Sequence, residues 1–255
     1  MREAANIIIE AKKISKSYRK NKAEHLIIKD LDIQIYEKDF TVIMGASGSG
    51  KSTLIQLLSG MDKVSKGTVY FENNNLTQYS EKNIAEFRRK NCGYMFQQIH
   101  LINQMNIMDN ILITGLLTSK NKKEIIKNGN VLLQSVGISE KEWYKYPNQL
   151  SGGQLARVGM VRALINSPRV IFADEPTGSL DSQSGISVLD LLCQFHSNGQ
   201  TIILVTHDLK SALRGNRIIY LKDGSIHGEC DLGEYTYNSK MRKEKLLGFL
   251  EDMGW

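Results

Sequence analysis

Gly45-Ala46-Ser47-Gly48-Ser49-Gly50-Lys51-Ser52 has the spacing of a phosphate-binding loop: glycines at the first and sixth positions, then a lysine, then a hydroxyl. Glycines let backbone N–H groups curl around an anion, and a helix starting near Lys51 adds the positive end of its dipole. Lys51 would reach the β- and γ-phosphates of a nucleoside triphosphate, and Ser52 would ligate Mg²⁺. A chance match to the four fixed positions arises roughly once in a hundred chains of this length, and the flanks lower that further. The apolar stretch Phe40-Thr41-Val42-Ile43-Met44 precedes the loop, and Ser52-Thr53-Leu54-Ile55-Gln56-Leu57-Leu58 follows it with helical spacing and no proline. A serine-glycine linker rarely sits between a buried strand and a helix.

Other polar residues follow apolar strands in the same way. Asp174 and Glu175 come after Val170-Ile171-Phe172-Ala173, where the Asp can hold Mg²⁺ through water and the Glu can point at a γ-phosphate. Glu175 is the candidate general base, polarising a water for in-line attack. An isolated glutamate would be read as a surface acid, but not one beside this Asp and downstream of this loop. His207 follows Leu204-Val205-Thr206. Alone it reads as a structural histidine; at a strand end beside a phosphate site it becomes a γ-phosphate contact or a brace for the water. Gln97, after Tyr94-Met95-Phe96, has an amide that can ligate Mg²⁺ or reach the attacking water, and spacing leaves Gln98 open as a competing assignment. Leu150-Ser151-Gly152-Gly153-Gln154 opens a helix that Ser151 can cap, and its two glycines leave N–H groups bare, a second anion site at a helix N-terminus.

These residues need a scaffold that brings strand ends together. Strands at residues 170–173 and 201–205 alternate with helices at 151–166 and 182–195, and strands this continuously apolar belong inside a sheet covered on both faces. Ligands of such sheets bind at the carboxyl ends of the strands, so the residues after Met44, Ala173 and Val205 should converge on one site. Alternating Ile7, Ile9, then Leu31, Ile33 and Ile35, with a further strand at 67–71 closed by the turn Glu72-Asn73-Asn74-Asn75, predict an antiparallel layer. From Ser80, an N-cap residue, to about Pro147 the pattern turns mostly helical, with long polar helices between Asp109 and Val136. The predicted fold class is α/β: a P-loop NTPase core with a mostly parallel sheet, an N-terminal antiparallel β layer and an inserted helical subdomain.

Composition bounds the rest. With 255 residues, 41% of them hydrophobic, the chain can bury one sizeable core or a core plus a small subdomain. No apolar run reaches the roughly 20 residues that span a bilayer, and Arg2 and Glu3 are not followed by a signal-type apolar region; a cytosolic location is expected. Cys92, Cys193 and Cys230 stand far apart, with no metal spacing, and read as reduced packing residues. The net charge of +6 lies in short clusters such as residues 120–123 and 240–245 rather than in a long basic arm. They read as solvated surface, or more weakly as attraction to anionic lipid headgroups; no nucleic-acid partner is expected.

Residues 45–52, Gln97, 150–154, 170–175, Ser179-Leu180-Asp181 and His207 together resemble the nucleotide-binding subunit of ATP-binding-cassette (ABC) transporters, over about residues 7–222 and in that family's order. The resemblance implies a domain over 1–238 with a helical subdomain at about 80–165, and cofactors ATP and Mg²⁺. Gly45, Ala46, Ser47, Gly48, Ser49, Gly50, Lys51, Ser52 and Thr53 would bind ATP, Tyr18 would stack on adenine, and Ser52, Gln97 and Asp174 would hold the metal. Glu175, His207 and Gln97 would be catalytic. Ser151, Gly152, Gly153 and Gln154 would complete the ATP site of a second copy in a head-to-tail homodimer, and Asp181 would carry signals across that interface. Gln97 would begin the segment touching an integral membrane permease, placing the chain peripherally on the inner face of the cell membrane. Gly60-Met61-Asp62, Ile84-Ala85-Glu86-Phe87-Arg88 and residues 173–182 look like the macrolide-export and lipoprotein-release branch, with the bacitracin-type peptide transporters nearest in look. Leu155-Ala156 and Gly159-Met160 depart from that pattern. The implied function is an ATPase that energises a separate permease for antimicrobial peptides or lipid-linked substrates; the alternative is a non-transport ATPase regulating a membrane partner, as in the cell-division branch. A soluble ribosome or DNA-repair ATPase is disfavoured by the single cassette and the lack of a long coiled-coil insertion. Residues 239–255, with Leu246, Leu247, Leu250 and Met253 on one helical face, would form a C-terminal amphipathic helix that packs on its own domain or docks a partner.

Overall fold

The computed structural model describes residues 6–20 and 23–255; Arg2 and Glu3 lie outside the described residues. The strands are β1 (Ile7–Lys20), β2 (Ala23–Tyr36), β3 (Phe40–Met44), β4 (Lys66–Phe71), β5 (Asn74–Asn75), β6 (Cys92–Met95), β7 (Val170–Asp174), β8 (Thr201–Val205), β9 (Arg217–Lys222) and β10 (Ser225–Asp231). The helices are α1 (Lys51–Leu58), α2 (Glu81–Asn91), α3 (Ile107–Gly115), α4 (Lys122–Ser135), α5 (Gly152–Leu164), α6 (Ser182–Ser197), α7 (Leu209–Ala212) and α8 (Lys240–Asp252). Two compact units emerge: Met1–Ala85 with Thr201–Trp255, and Glu86–Gln200.

The first unit holds an antiparallel layer in the order β2-β1-β4-β5 and a parallel group in which β3 lies between β8 and β9, with β10 antiparallel on β9. All five residues of β3 and of β8 are buried, which is why both read as unbroken apolar runs rather than as alternation. In β1 the expected alternation fails at its start: Ile7 is 39% exposed while Ile8 and Ile9 are both buried. A register shift between Ile7 and Ile9 explains this, because a bulge lets two successive side chains share a face. The expected turn at residues 72–75 is a hairpin whose far end is β5, pairing Asn74 with Phe71. Ser80 does start α2, its Oγ accepting from Asn83 N–H at 3.3 Å.

Within the same unit, α8 buries Leu246 and Leu250, and Phe249 and Met253 press on Gly228 of β10, where a Cβ would lie 2.8 Å from Met253 Sδ. Arg242 secures the start of α8, its guanidinium donating to the carbonyls of Leu213, Leu232, Gly233, Glu234 and Gly215. The apolar stripe therefore packs on its own unit. Among the described residues no helix is long and apolar enough to cross a membrane.

In the second unit β6 runs parallel to β7, Cys92 opposite Val170 and Met95 opposite Ala173. This strand interrupts the stretch expected to be mostly helical. It has only four residues, and its Gly93 lets α5 come so close that a Cβ would sit 2.4 Å from Ala163 O. Tyr94 stacks on Phe172 of β7 at 5.4 Å. Nor is the region between Asp109 and Val136 polar throughout: α3 buries Ile111, α4 buries Ile125 and Leu133, and Gly115 of α3 receives Ile125. Burial pushes the Cys92 thiol up to about 12, leaving almost no thiolate and little reactivity at neutral pH.

Candidate active site

In the first unit the loop after β3 takes the conformation its glycines permit. Gly45 has φ +153°, and a Cβ there would fall 2.1 Å from Leu221 O; Gly50, at φ +101°, caps α1, and a Cβ would meet Ile28 Cδ1 at 2.9 Å. At Gly48, φ +80°, no atom of the described residues beyond its chain neighbours lies within 4 Å of a Cβ's place, so this edge of the loop is open. Lys51 is 6% exposed, and its Nζ donates to Gly45 O at 2.9 Å and Ala46 O at 2.8 Å. The first turn of α1 carries no acidic residue, so nothing opposes the helix dipole where an anion would bind. Ser52 follows with an exposed position on that turn.

A brace for this loop escaped the sequence reading. The turn between β9 and β10 has Asp223 at φ +49° and Gly224 at φ +79°, the pattern of a two-residue hairpin turn. Gly224 N–H donates to Ser49 O at 3.1 Å, and Gly224 O accepts from Lys29 N–H at 2.9 Å. Asp-Gly between two apolar runs is a visible hairpin signal, but its contact with the phosphate loop is not local information.

β8 lies beside β3 in parallel, Val205 opposite Ile43, so Thr206 and His207 emerge at the same sheet end as Gly45. His207 is exposed. The segment is set by its neighbours: Thr206 N–H donates to Ile43 O, Asp208 N–H to Thr206 Oγ1, and Asp208 Oδ2 caps α7 by accepting from Ser211 N–H at 2.8 Å.

Tyr18 is 41% exposed, and its hydroxyl donates to Asp62 Oδ2 at 2.6 Å. Partial burial, then the Asp62 hydrogen bond and charge, push the phenol up to about 12; a Thr53 hydrogen bond acts in the opposite direction. At Asp62 burial works against ionisation, but hydrogen bonds from Lys16, Tyr18 and the Lys63 N–H outweigh it and hold the carboxyl below its usual range. Because the folded carboxyl takes a proton less readily than the unfolded one, this contribution to stability is complete above the unfolded aspartate value of about 4 and is lost as pH falls through the folded value. Melting temperatures of wild type and Asp62→Asn should therefore converge on acidification; parallel curves down to the acid limit would contradict it.

In the second unit Asp174 ends β7 and is half-buried. Glu175 follows with φ +45°, a left-handed conformation unusual for a side chain of this kind and frequent where function fixes the backbone. Gly178 N–H donates to Glu175 O at 3.0 Å. A Cβ on Gly178 would lie 3.3 Å from Gln97 Nε2 and 3.5 Å from Glu175 Oε2, so the Gln97 amide and the Glu175 carboxylate gather at one glycine. Gln97 follows β6, whose end is level with Ala173 of β7. Gln98 is exposed, as Gln97 is; Gly178 has Gln97 as its contact.

Residues outside the motifs hold the Gln97 segment. Arg162 of α5 donates to Ile99 O at 2.5 Å and to His100 O at 2.6 Å, and Gly159 makes room for Ile99, whose Cγ2 lies 3.0 Å from where a Cβ would be. The departure at Gly159-Met160 thus has a packing reason: Met160 fills the core and Gly159 seats Ile99. Asn110, 1% exposed, binds both the N–H and the C=O of Ile102.

Ser151 caps α5 as expected, in a reciprocal box: Gln154 N–H donates to Ser151 Oγ, and Ser151 N–H to Gln154 Oε1 at 2.9 Å. Gln154 Nε2 donates to Glu142, so this side chain shapes the helix start. The two glycines divide. Gly152 is exposed, whereas Gly153 is buried, and a Cβ there would strike Ser184 Oγ at 2.6 Å. Its lack of a side chain lets α5 and α6 pack closely. Ser184 also donates its N–H to Asp181 Oδ1 at 3.0 Å, and hydrogen bonding from Ser184 holds the Asp181 carboxyl below its usual range.

Comparison with known proteins places these halves in one family. The family model described as ABC transporter matches residues 28–178. The bacitracin export ATP-binding protein BceA of Halalkalibacterium halodurans is 37% identical over 250 residues, covering 96% of this chain and 98% of that protein. The macrolide export ATP-binding/permease protein MacB of a Shewanella species is 40% identical over 219 residues, 86% of this chain, which spans 33% of that protein's length. A solved dimeric ATP-binding cassette in a post-hydrolysis state, bound to ADP and Pi, superposes with a TM-score of 0.82 at 35% identity, covering 88% of this chain and 98% of that one. By the family model that matches more than half of it and by a relative 37% identical over nearly its whole length, the chain belongs to the ABC transporter ATP-binding family.

Proposed function

We propose that this chain is the ATP-hydrolysing subunit of an ABC exporter, with residues 1–238 as its ATP-binding domain. The observation that carries the reading is the phosphate loop: Gly45, Gly48 and Gly50 all at positive φ, an open edge at Gly48, and Lys51 buried at the head of α1. Lys51, the loop N–H groups and Thr53 bind the triphosphate, and Tyr18 stacks on the base. Ser52, Gln97 and Asp174 supply only oxygen donors, the set a hard cation such as Mg²⁺ takes; the bound ion would neutralise phosphate charge. Glu175 orients and deprotonates the attacking water, with His207 against the γ-phosphate. Ser151, Gly152, Gly153 and Gln154 approach the nucleotide of a second copy, so ATP closes a homodimer and hydrolysis loosens it. A separate membrane permease takes up that motion, at the inner face of the membrane. The substrates are antimicrobial peptides or lipid-linked molecules, a reading supported by the bacitracin-export relative that matches nearly end to end.

Purification of the chain from its own membrane, followed by phosphate release assays with MgATP and candidate peptides, tests this. A multi-span protein should copurify and turnover should rise with its peptide. No ATP turnover, or turnover indifferent to any membrane partner, would refute the assignment.

A further inference from the structure

Gly60-Met61-Asp62 has no part in the reaction as proposed, yet its carboxylate is the centre of a network. Asp62 Oδ2 accepts from the Tyr18 hydroxyl at 2.6 Å, and Oδ1 accepts from Lys16 Nζ at 2.7 Å and from Lys63 N–H at 2.7 Å. Lys16 Nζ also donates to Lys63 O at 2.7 Å and stands 4.8 Å from the centroid of the Tyr18 ring. Lys16 is 9% exposed, so its cation is confined to this place against the ring. The exposed remainder of the ring is left for another planar group.

The position of Asp62 follows from how α1 ends. Gly60 takes φ +69°, its N–H donates to Leu57 O at 3.2 Å, and Met61 N–H donates to Gln56 O at 2.9 Å. This is the left-handed glycine termination of a helix, with its six-to-one bond. It turns the chain so that Asp62 N–H also reaches Gln56 O, at 3.1 Å. The carboxylate is thereby fixed to the last turn of α1. An eight-residue helix spans about 12 Å; its tail holds Tyr18 through Asp62, while its head carries Lys51 and Ser52.

We infer that Asp62, with Lys16, is a positioning pair that fixes the Tyr18 ring relative to α1 and so sets affinity for the base end of the nucleotide without affecting its phosphates. The inference rests on the reading that Tyr18 stacks on the base, and the experiment separates the two. Asp62→Ala should raise the KM for ATP by about three- to tenfold, a fraction of what one base–aromatic stack is worth, with kcat within about twofold. Inhibition by inorganic tripolyphosphate, which has no base, should be unchanged. Tyr18→Ala should raise the KM by about tenfold or more. Tyr18→Phe, which keeps the ring but loses the Asp62 bond, should match Asp62→Ala, and combining the two should add little.

An unchanged KM in Asp62→Ala beside a raised KM in Tyr18→Ala overturns the positioning role alone. An unchanged KM in Tyr18→Ala overturns the stacking reading and this inference with it. Equal weakening of ATP and tripolyphosphate by Asp62→Ala would show that Asp62 acts on α1 as a whole, and also overturns it. Should Asp62→Ala fail to fold, Tyr18→Phe and Lys16→Met carry the same comparison.

Discussion

Glu175→Gln is expected to lower ATP turnover by at least about 100-fold, the scale of a lost general base, while nucleotide binding stays within a few-fold. The substitution keeps size and shape, so the left-handed backbone at φ +45° and the Gly178 N–H bond to Glu175 O are undisturbed. What disappears is the carboxylate charge and its proton affinity. Loss of a negative charge beside a triphosphate also removes repulsion, so the variant should accumulate as an ATP-bound dimer. Single-turnover phosphate release and size-exclusion chromatography with MgATP read both effects. Full turnover would reject Glu175 as the base. A strictly monomeric, ATP-loaded variant would reject the two-copy cycle even if the base were right.

Lys51→Ala should reduce ATP affinity by about 100-fold or more, since two charge-assisted contacts to phosphate oxygens are worth about 1.5–3 kcal/mol each. Lys51 is 6% exposed and gives hydrogen bonds to the Gly45 and Ala46 carbonyls. Its removal therefore also leaves those carbonyls short of a donor, at a cost of about 1–3 kcal/mol of stability. The two effects separate in a thermal shift assay. Wild type should gain melting temperature on adding MgATP, and Lys51→Ala should start lower and gain none. A variant with the full nucleotide-induced shift would place the triphosphate elsewhere. Lys51→Arg should not rescue binding, because a planar fork does not fit where a point charge is enclosed by two carbonyls.

Much of this was legible along the chain wherever a pattern is local. The buried strands at residues 170–173 and 201–205 needed only their continuous apolar character, and β7 and β8 match them to within a residue. α5 begins after the residue read as its cap. By contrast β6, four residues long with a glycine inside it, has no periodicity of its own to display; it is a strand because β7 offers it a ladder and α5 presses on Gly93. Ile7 was misassigned for a related reason, since a bulge breaks the two-residue period without any mark in the composition.

Residue types and spacing alone determined which groups are on offer: a glycine loop, a lysine at a helix head, two carboxylates at a strand end and a second capped helix, because each of these is built within a few consecutive residues. Only the tertiary structure decided what supports them. Asp62 meets Tyr18 across 44 residues, Gly224 lies under Ser49 from a distant hairpin, and Gly153 owes its lack of a side chain to Ser184 on the next helix. Such contacts arise when the packing of whole elements brings remote positions within a hydrogen bond or a van der Waals radius, and no local pattern encodes that distance.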